Sequence, residues 1–181
     1  PQYEEMMREH EVPEWYIDSC KKIKYMFPKA HAAAYIMMAF RIAWFKVHIP
    51  LAYYAAYFSI RAKAFDAEFM INGKEVVKQK MKEIEMQGNQ ASNKDKDMYD
   101  DLELVLEMYE RGFKFLPIDL YKSHATNFLI EDGSIRPPLN SISGMGNVAA
   151  EGIYTAVKEG GTFISVDDLK IRAKIGNSTI E

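Results

Sequence analysis

Apolar positions recur with helical spacing along most of the chain, and they are densest between residues 27 and 65. Pro28 suits the first turn of a helix, because its missing amide donor costs nothing there. The helix that follows is predicted from two neighbouring stripes, formed by His31, Tyr35, Met38 and Ile42 and by Ala34, Met37, Arg41, Phe45 and His48. Pro50 ends this helix and opens a second one, which is predicted to run to about Ala64.

Shorter helical patterns flank this block. Residues 1–10 predict a frayed helix end, and a helix is predicted from Pro13 to about Met26, with Trp15, Ile23 and Met26 available for burial. Residues 74–86 and 98–111 also show helical spacing, the latter through Met98, Leu102, Val105, Leu106 and Tyr109. Residues 87–97 are rich in turn-forming residues and predict a mobile loop.

The pattern changes after Gly112, which suits a helix C-terminal cap. Residues 113–120 and 127–130 predict short strands, and Asp132-Gly133 is a strong hairpin turn signal. The predicted fold is therefore mainly α with a small β element. Its predicted parts are a helical subdomain over residues 1–112, a short β linker over 113–138 and a helix-hairpin-helix region over 139–181.

The helix-hairpin-helix prediction rests on residues 139–153 and centres on Gly144, Met145, Gly146 and Asn147. Two glycines permit a tight connection between helices and a close approach of the backbone to a ligand. Amides at the turn and at the start of the following helix would then suit a DNA phosphate, with Lys158 as the nearest basic residue. The alternative is an ordinary turn between two helices with a glycine cap.

A second, degenerate copy is predicted to follow. Ser165 to Asp168 form a capping box for a helix that reaches Lys174. The sequence Ile175-Gly176-Asn177 then begins another turn.

Charge is distributed unevenly: no acidic residue lies between Asp18 and Asp66, although the whole chain has a formal net charge of −3. That total excludes a uniformly basic nucleic-acid binder, so any such surface must be local. The basic side chains of this interval indicate a surface that faces a polyanion, or else long side chains that reach solvent from a buried helix pair. They are Lys21, Lys22, Lys24, Lys29, Arg41, Lys46, Arg61 and Lys63, together with His31 and His48.

Several other chemistries are excluded by composition and spacing. The single cysteine, Cys20, rules out an intramolecular disulfide and a cysteine metal cluster. The longest uncharged run, residues 47–60, is too short to span a bilayer. Two-metal nucleotidyl transfer needs carboxylates on a rigid scaffold, usually adjacent strands, and no close acidic pair occupies such a setting, so neither a catalytic nor a metal site is predicted. The pairs are Asp66 with Glu68, Asp95 with Asp97, Asp100 with Asp101, and Asp167 with Asp168.

Residues 26–58, MFPKAHAAAYIMMAFRIAWFKVHIPLAYYAAYF, resemble the fingers of the bacterial replicative DNA polymerase III alpha subunit in its PolC form. Residues 15–26 and 139–169 resemble the same family. The resemblance implies a helical subdomain that closes on the incoming nucleotide and the template, followed by hairpins that hold the primer–template duplex. The implied nucleotide- or template-facing residues are Lys22, Lys24, Lys29, His31, Arg41 and Lys46.

The same resemblance implies a segment of a larger cytoplasmic polymerase that cannot polymerise DNA alone, because the palm aspartates and the exonuclease carboxylates have no counterpart here. No cofactor is expected on this segment, and Mg²⁺ is implied for the full-length polymerase. The implied partners are primer–template DNA, dNTP, the palm, and the sliding clamp and other replisome proteins, with no membrane.

Two other functions stay open on sequence. A repair glycosylase-like domain also carries such a hairpin, with an aspartate some twenty residues later, near Asp167 or Asp168. The second open function is that of a non-catalytic module whose apolar block binds a protein.

Overall fold

The computed structural model of the chain describes residues 3–23 and 28–180, and it confirms a mainly helical fold with one small sheet. The structure divides into two compact units, Pro1–Trp44 and Phe45–Glu181. The helices are α1 (Glu4–Glu9), α2 (Glu14–Lys22), α3 (Lys29–His48), α4 (Pro50–Ile60), α5 (Ala67–Met70), α6 (Lys74–Gln87), α7 (Asn93–Glu110), α8 (Asn147–Gly160) and α9 (Val166–Ala173). The strands are β1 (Leu129–Glu131) and β2 (Ser134–Arg136), and 3₁₀ turns occupy Gly88–Gln90, Leu139–Ser141 and Asn177–Thr179.

In the first unit, α1 and α2 are joined by ion pairs. The guanidinium of Arg8 in α1 lies 2.7 Å from a Glu14 carboxylate oxygen of α2, and Lys21 Nζ of α2 lies 2.6 Å from a Glu4 carboxylate oxygen of α1. Ile17 is the buried residue of α2, whereas Trp15 remains 70% exposed and Ile23 49% exposed. The prediction that Trp15 and Ile23 are buried is therefore wrong, and Met26 lies outside the described residues.

Helix α3 is apolar yet lies open to solvent. None of its residues, all of which the structure describes, is buried. Its large apolar side chains that are more than half exposed are Tyr35, Ile36, Met37, Met38, Phe40, Ile42, Trp44 and Val47. Monomeric proteins seldom expose so much contiguous apolar surface, which indicates a surface that contacts something else.

The main hydrophobic core belongs to the second unit. Tyr54 and Phe58 of α4 pack with the face of α7 that carries Leu102 and Val105, as the helical stripe of residues 98–111 predicts. Phe115, Phe128 and Ile135 join this same core. The residues of the predicted β linker therefore pack with the helical core; the predicted divisions near residues 112 and 138 stay predictions.

Helix α7 starts earlier than expected. The hydroxyl of Ser92 accepts a hydrogen bond from the Asp95 amide (3.1 Å), and the Asp95 carboxylate accepts one from the Ser92 amide (3.2 Å). This capping box begins the helix at Asn93. The prediction of a loop over residues 87–97 is wrong beyond Ser92, because reciprocal capping outweighs the turn-forming composition.

The hairpin is shorter than predicted. Asp132 and Gly133 both adopt positive φ (50° and 72°) and turn β1 into β2, which confirms the turn signal. Residues 113–120 do not form the predicted strand: among them, Phe115 makes a single bridge to Ile135. The buried guanidinium of Arg136 donates to Glu131 and lowers the pKa of that carboxyl.

A second, smaller core packs α8 against α9. Its buried members are Ala125, Leu139, Ala150, Ile153, Ala156 and Ala173. Arg172 of α9 donates to the carbonyls of Ala156 (2.6 Å) and Gly161 (3.2 Å), so it satisfies acceptors at the C-terminal end of α8. In the described part of the chain, no helix combines the length and apolar character that crossing a membrane requires.

Candidate nucleic-acid interface

The predicted hairpin forms a tight turn into α8. Gly144 adopts a φ of +83°, a conformation that side chains with a Cβ disfavour. The Met145 amide closes the turn by donating to the Ile142 carbonyl (3.0 Å). Gly146 is the N-cap of α8, with a φ of −77°, and a Cβ built on it would meet nothing within 4 Å. The backbone at Gly146 is therefore open to a ligand.

Helix α8 presents its first-turn amides at this turn. The regular hydrogen-bond series of the helix begins with the Ala150 amide, which donates to the Gly146 carbonyl at 3.1 Å. The amides of Asn147, Val148 and Ala149 precede it and have no acceptor inside the helix. Gly146, Asn147 and Val148 are exposed. Together with the positive end of the helix dipole, these donors can bind one phosphate group without reading base sequence.

Two side chains fix the turn in place. Met145 packs on the smaller core, and the Asn140 side-chain amide donates to Asn147 Oδ1 at 2.9 Å. The helix that precedes the turn is only the 3₁₀ turn Leu139–Ser141, shorter than the predicted motif implies. Asn140 was missed by sequence reasoning, since only its contact across the turn shows its role.

The structure does not bring Lys158 to the hairpin. Lys158 lies in the last turn of α8, its Nζ 5.4 Å from the Tyr154 ring centroid. At 1.5 Å per residue it stands about 16 Å along the helix from Asn147. A DNA contact by Lys158 stays a prediction, separate from the hairpin amides.

The second predicted turn repeats the backbone of the first. Lys174 adopts left-handed geometry (φ 55°), as Gly144 does, and Gly176 adopts φ −83° and ψ 171°, close to the conformation of Gly146. Ile175 packs on the smaller core alongside Met145. The turn is followed by the 3₁₀ turn Asn177–Thr179.

The predicted nucleotide-facing residues of α3 do not share one face. At 100° per residue, Lys29, His31 and Arg41 point about 80° to 160° apart around the helix axis. All three are exposed, and the His31 ring lies edge-on to the Tyr35 ring with centroids 4.5 Å apart. Lys22 is the exposed last residue of α2, and Lys24 lies outside the described residues. A contact between these residues and a nucleotide or the template stays a prediction.

Lys46 is engaged in a polar network of the second unit. Its Nζ lies 2.5 Å from Glu107 Oε2, and Glu107 Oε1 accepts the Tyr54 hydroxyl at 3.0 Å. Arg111 donates to the Tyr54 hydroxyl and to the Lys46 carbonyl, both at 2.9 Å. Burial is the main cause that raises the pKa of Tyr54 to about 12. The network holds Lys46 against α7 within the second unit, a contact that the charge pattern alone did not indicate.

The close acidic pairs serve local structure. Buried Asp101 accepts the amides of Lys63 and Ala64 at 3.0 and 2.9 Å, and burial raises its pKa. Asp66 caps α5 by accepting the Glu68 amide. Asp168 accepts the Ile164 amide and pairs with Arg172 at 3.2 Å. Within residues 3–23 and 28–180, no group of three histidine, cysteine or carboxylate side chains could hold a metal ion.

Comparison with known proteins supports the prediction of a helix-hairpin-helix motif. Residues 112–181 match the family model described as a helix-hairpin-helix motif. The chain is similar to DNA polymerase III PolC-type of Streptococcus suis, with 55% identity over 99% of this chain. It is also similar to the protein of that name from Bacillus subtilis, with 53% identity over 100% of this chain. The corresponding protein of Caldanaerobacter subterraneus is 51% identical over 98% of the chain.

The chain spans only 12 to 13% of the length of these relatives. The match nevertheless covers both the apolar block of residues 26–58 and the hairpin region. The chain thus belongs, as a segment, to the PolC-type DNA polymerase III family.

Proposed function

We propose that the chain supplies the fingers and the first duplex-holding hairpin of a replicative DNA-directed DNA polymerase. The turn at residues 144–147 carries this proposal, because it opens the first-turn amides of α8 to a ligand that carries oxygen acceptors. The match of residues 112–181 to a helix-hairpin-helix motif supports a DNA phosphate as that ligand. Contacts of this kind position a duplex independently of its sequence.

The second part of the proposal concerns α3. Its basic residues Lys29, His31 and Arg41 face the incoming dNTP and the template, where cations stabilise phosphate charge. Because these residues point in different directions, they serve different groups of the nucleic acid. The exposed apolar surface of the same helix is covered by the rest of the polymerase chain, the palm included.

The chemistry of nucleotidyl transfer belongs to parts of the polymerase beyond this segment. No group of three carboxylate, histidine or cysteine side chains among the described residues could hold Mg²⁺, and Asp101 and Asp168 are already engaged by backbone amides. Those same contacts give no support to a glycosylase that would use Asp168. The sliding clamp and other replisome proteins are partners of the full-length polymerase, which acts in the cytoplasm.

Substitution of Lys29 or Arg41 by alanine in a full-length PolC-type polymerase is expected to raise the KM for dNTP about 10-fold, because each removes one charge-assisted contact to phosphate. Steady-state extension of a primed template measures the change. Lys94→Ala, at an exposed position of α7, is the matched control and should leave KM unchanged. If neither Lys29→Ala nor Arg41→Ala alters KM or kcat, α3 does not face the nucleotide.

A further inference from the structure

The segment of residues 119–128, here called the strap, lies between the main core and the hairpin. Its start is an internally bonded turn, in which the Asp119 carboxylate accepts the amides of Tyr121 and Lys122 at 2.8 and 3.1 Å. Its end is tied to α4, because the Phe128 amide donates to the Ser59 hydroxyl at 2.9 Å. The strap is therefore folded on itself at its start and tied to α4 at its end.

At the centre of the strap, the imidazole of His124 accepts hydrogen bonds from backbone amides, as a backbone carbonyl does in an ordinary turn. Its Nδ1 accepts two hydrogen bonds, from the amides of Thr126 and Asn127, each at 3.1 Å. Its ring lies against Tyr154 of α8, with centroids 4.5 Å apart. Nδ1 must carry a lone pair to accept both amides, so the geometry requires an unprotonated nitrogen there.

The carbonyls of the strap hold the residues that precede the hairpin. The His124 carbonyl accepts the Leu139 amide at 2.9 Å, and the buried Ala125 accepts the Asn140 amide at 3.0 Å. Asn140 in turn donates its side-chain amide to Asn147, the first residue of α8. Three consecutive links thus connect the His124 imidazole to the turn that presents the phosphate-binding amides.

We propose that His124 is a positioning residue for the duplex-holding hairpin. The Thr126 amide that it accepts lies in the same peptide plane as the Ala125 carbonyl, so this hydrogen bond orients that carbonyl and the Asn140 amide bonded to it. The adjoining His124 carbonyl, which accepts the Leu139 amide, belongs to the same turn, and Asn140 carries the effect to the start of α8. This inference rests on the proposed function for its effect on DNA. The linkage between the strap and the hairpin is testable without DNA.

The test compares three substitutions that differ in where an acceptor stands. In His124→Asn, the amide oxygen occupies nearly the position of Nδ1 and can accept the same two amides, as in an Asx turn. In His124→Gln the oxygen lies one bond further out, and in His124→Ala it is missing. Amide hydrogen exchange at Leu139 and Asn140 reports the strap linkage, and duplex affinity at constant salt reports the hairpin.

The proposal predicts about 10-fold faster exchange at Leu139 and Asn140, and about 10-fold weaker duplex binding, for His124→Ala and His124→Gln. His124→Asn should restore both quantities to within about 2-fold of the unsubstituted chain. Exchange at Leu102 in the main core is the control for global unfolding. If His124→Ala does not fold, the contrast between His124→Asn and His124→Gln still tests the proposal.

Equal exchange in all three variants and the unsubstituted chain would overturn the linkage. Equal impairment of His124→Asn and His124→Ala would overturn it too, since acceptor position would then be irrelevant. If exchange follows the predicted order but no chain binds duplex, the linkage stands and the proposed function fails. If exchange follows that order while duplex affinity is unchanged by every substitution, His124 does not position the duplex contact.

Discussion

Replacing Gly146 by aspartate is expected to weaken duplex binding by about 100-fold while leaving the chain folded, because it removes up to two charge-assisted contacts. Gly146 is the N-cap of α8, and aspartate is among the residues preferred there. The new carboxylate would accept the amides of Val148 or Ala149. Those are the donors that a phosphate would use.

Space and backbone geometry permit the change. A Cβ at Gly146 would meet nothing within 4 Å, and its φ of −77° suits any residue. The free energy of unfolding should therefore stay equal or rise by roughly a few tenths of a kcal/mol, the usual difference between glycine and aspartate at an N-cap. Stability and DNA affinity should thus change in opposite directions, which a simple loss of structure cannot produce.

Two further variants at Gly146 separate shape from charge. Gly146→Asn caps the helix without a negative charge and should weaken binding less than aspartate does. Gly146→Ala fills the space without occupying the amides and should weaken it least. Fluorescence anisotropy with a labelled primer–template duplex measures the series. Wild-type affinity in Gly146→Asp would show that these amides do not contact DNA.

Replacing Gly152 by alanine is expected to destabilise the smaller core by about 3 kcal/mol, the upper part of the usual range for overpacking. A Cβ at Gly152 would lie 2.3 Å from the carbonyl oxygen of Ala173. That atom is backbone, so α8 and α9 must separate to relieve the clash. The buried side chains of Ile153 and Ala156 would then lose packing.

Gly160→Ala is the matched control within α8. Its Cβ would meet the guanidinium of Arg172 at 2.4 Å, the far end of a side chain that can move. Denaturant unfolding followed by circular dichroism should show a large loss for Gly152→Ala and a small one for Gly160→Ala. Equal stability of the two variants would contradict the close packing of α8 on α9.

Local signals in the sequence predicted those features that depend on near neighbours. The turn at Asp132-Gly133 needs only two residues that tolerate positive φ. The apolar stripe of α7 predicted the burial of Leu102 and Val105 from spacing alone. The turn around Gly144 and Gly146 was predicted in the same way, from glycine spacing and the apolar positions around it.

Features that depend on distant contacts were not predictable. The pairing of Lys46 with Glu107 joins residues 61 positions apart, so a charge pattern along α3 could not reveal it. Nothing in the sequence indicated a role for His124, because its partners are backbone amides and the Tyr154 ring. The spacing of apolar residues also could not predict whether the apolar surface of α3 packs inside the chain. An apolar surface indicates that something contacts it, but its hydrophobicity does not determine whether that partner lies in the same chain.

The most direct test of duplex holding by backbone phosphate contacts is a salt titration of primer–template binding by the chain, with Gly146→Asp beside it. Neutralising a phosphate releases its counterions, so log affinity should fall with log salt concentration with a slope of about −1 for each phosphate that the chain neutralises. Gly146→Asp displaces one phosphate from the hairpin and should reduce the magnitude of that slope by about 1. An affinity that does not respond to salt, or a slope that Gly146→Asp leaves unchanged, would contradict phosphate binding at this hairpin.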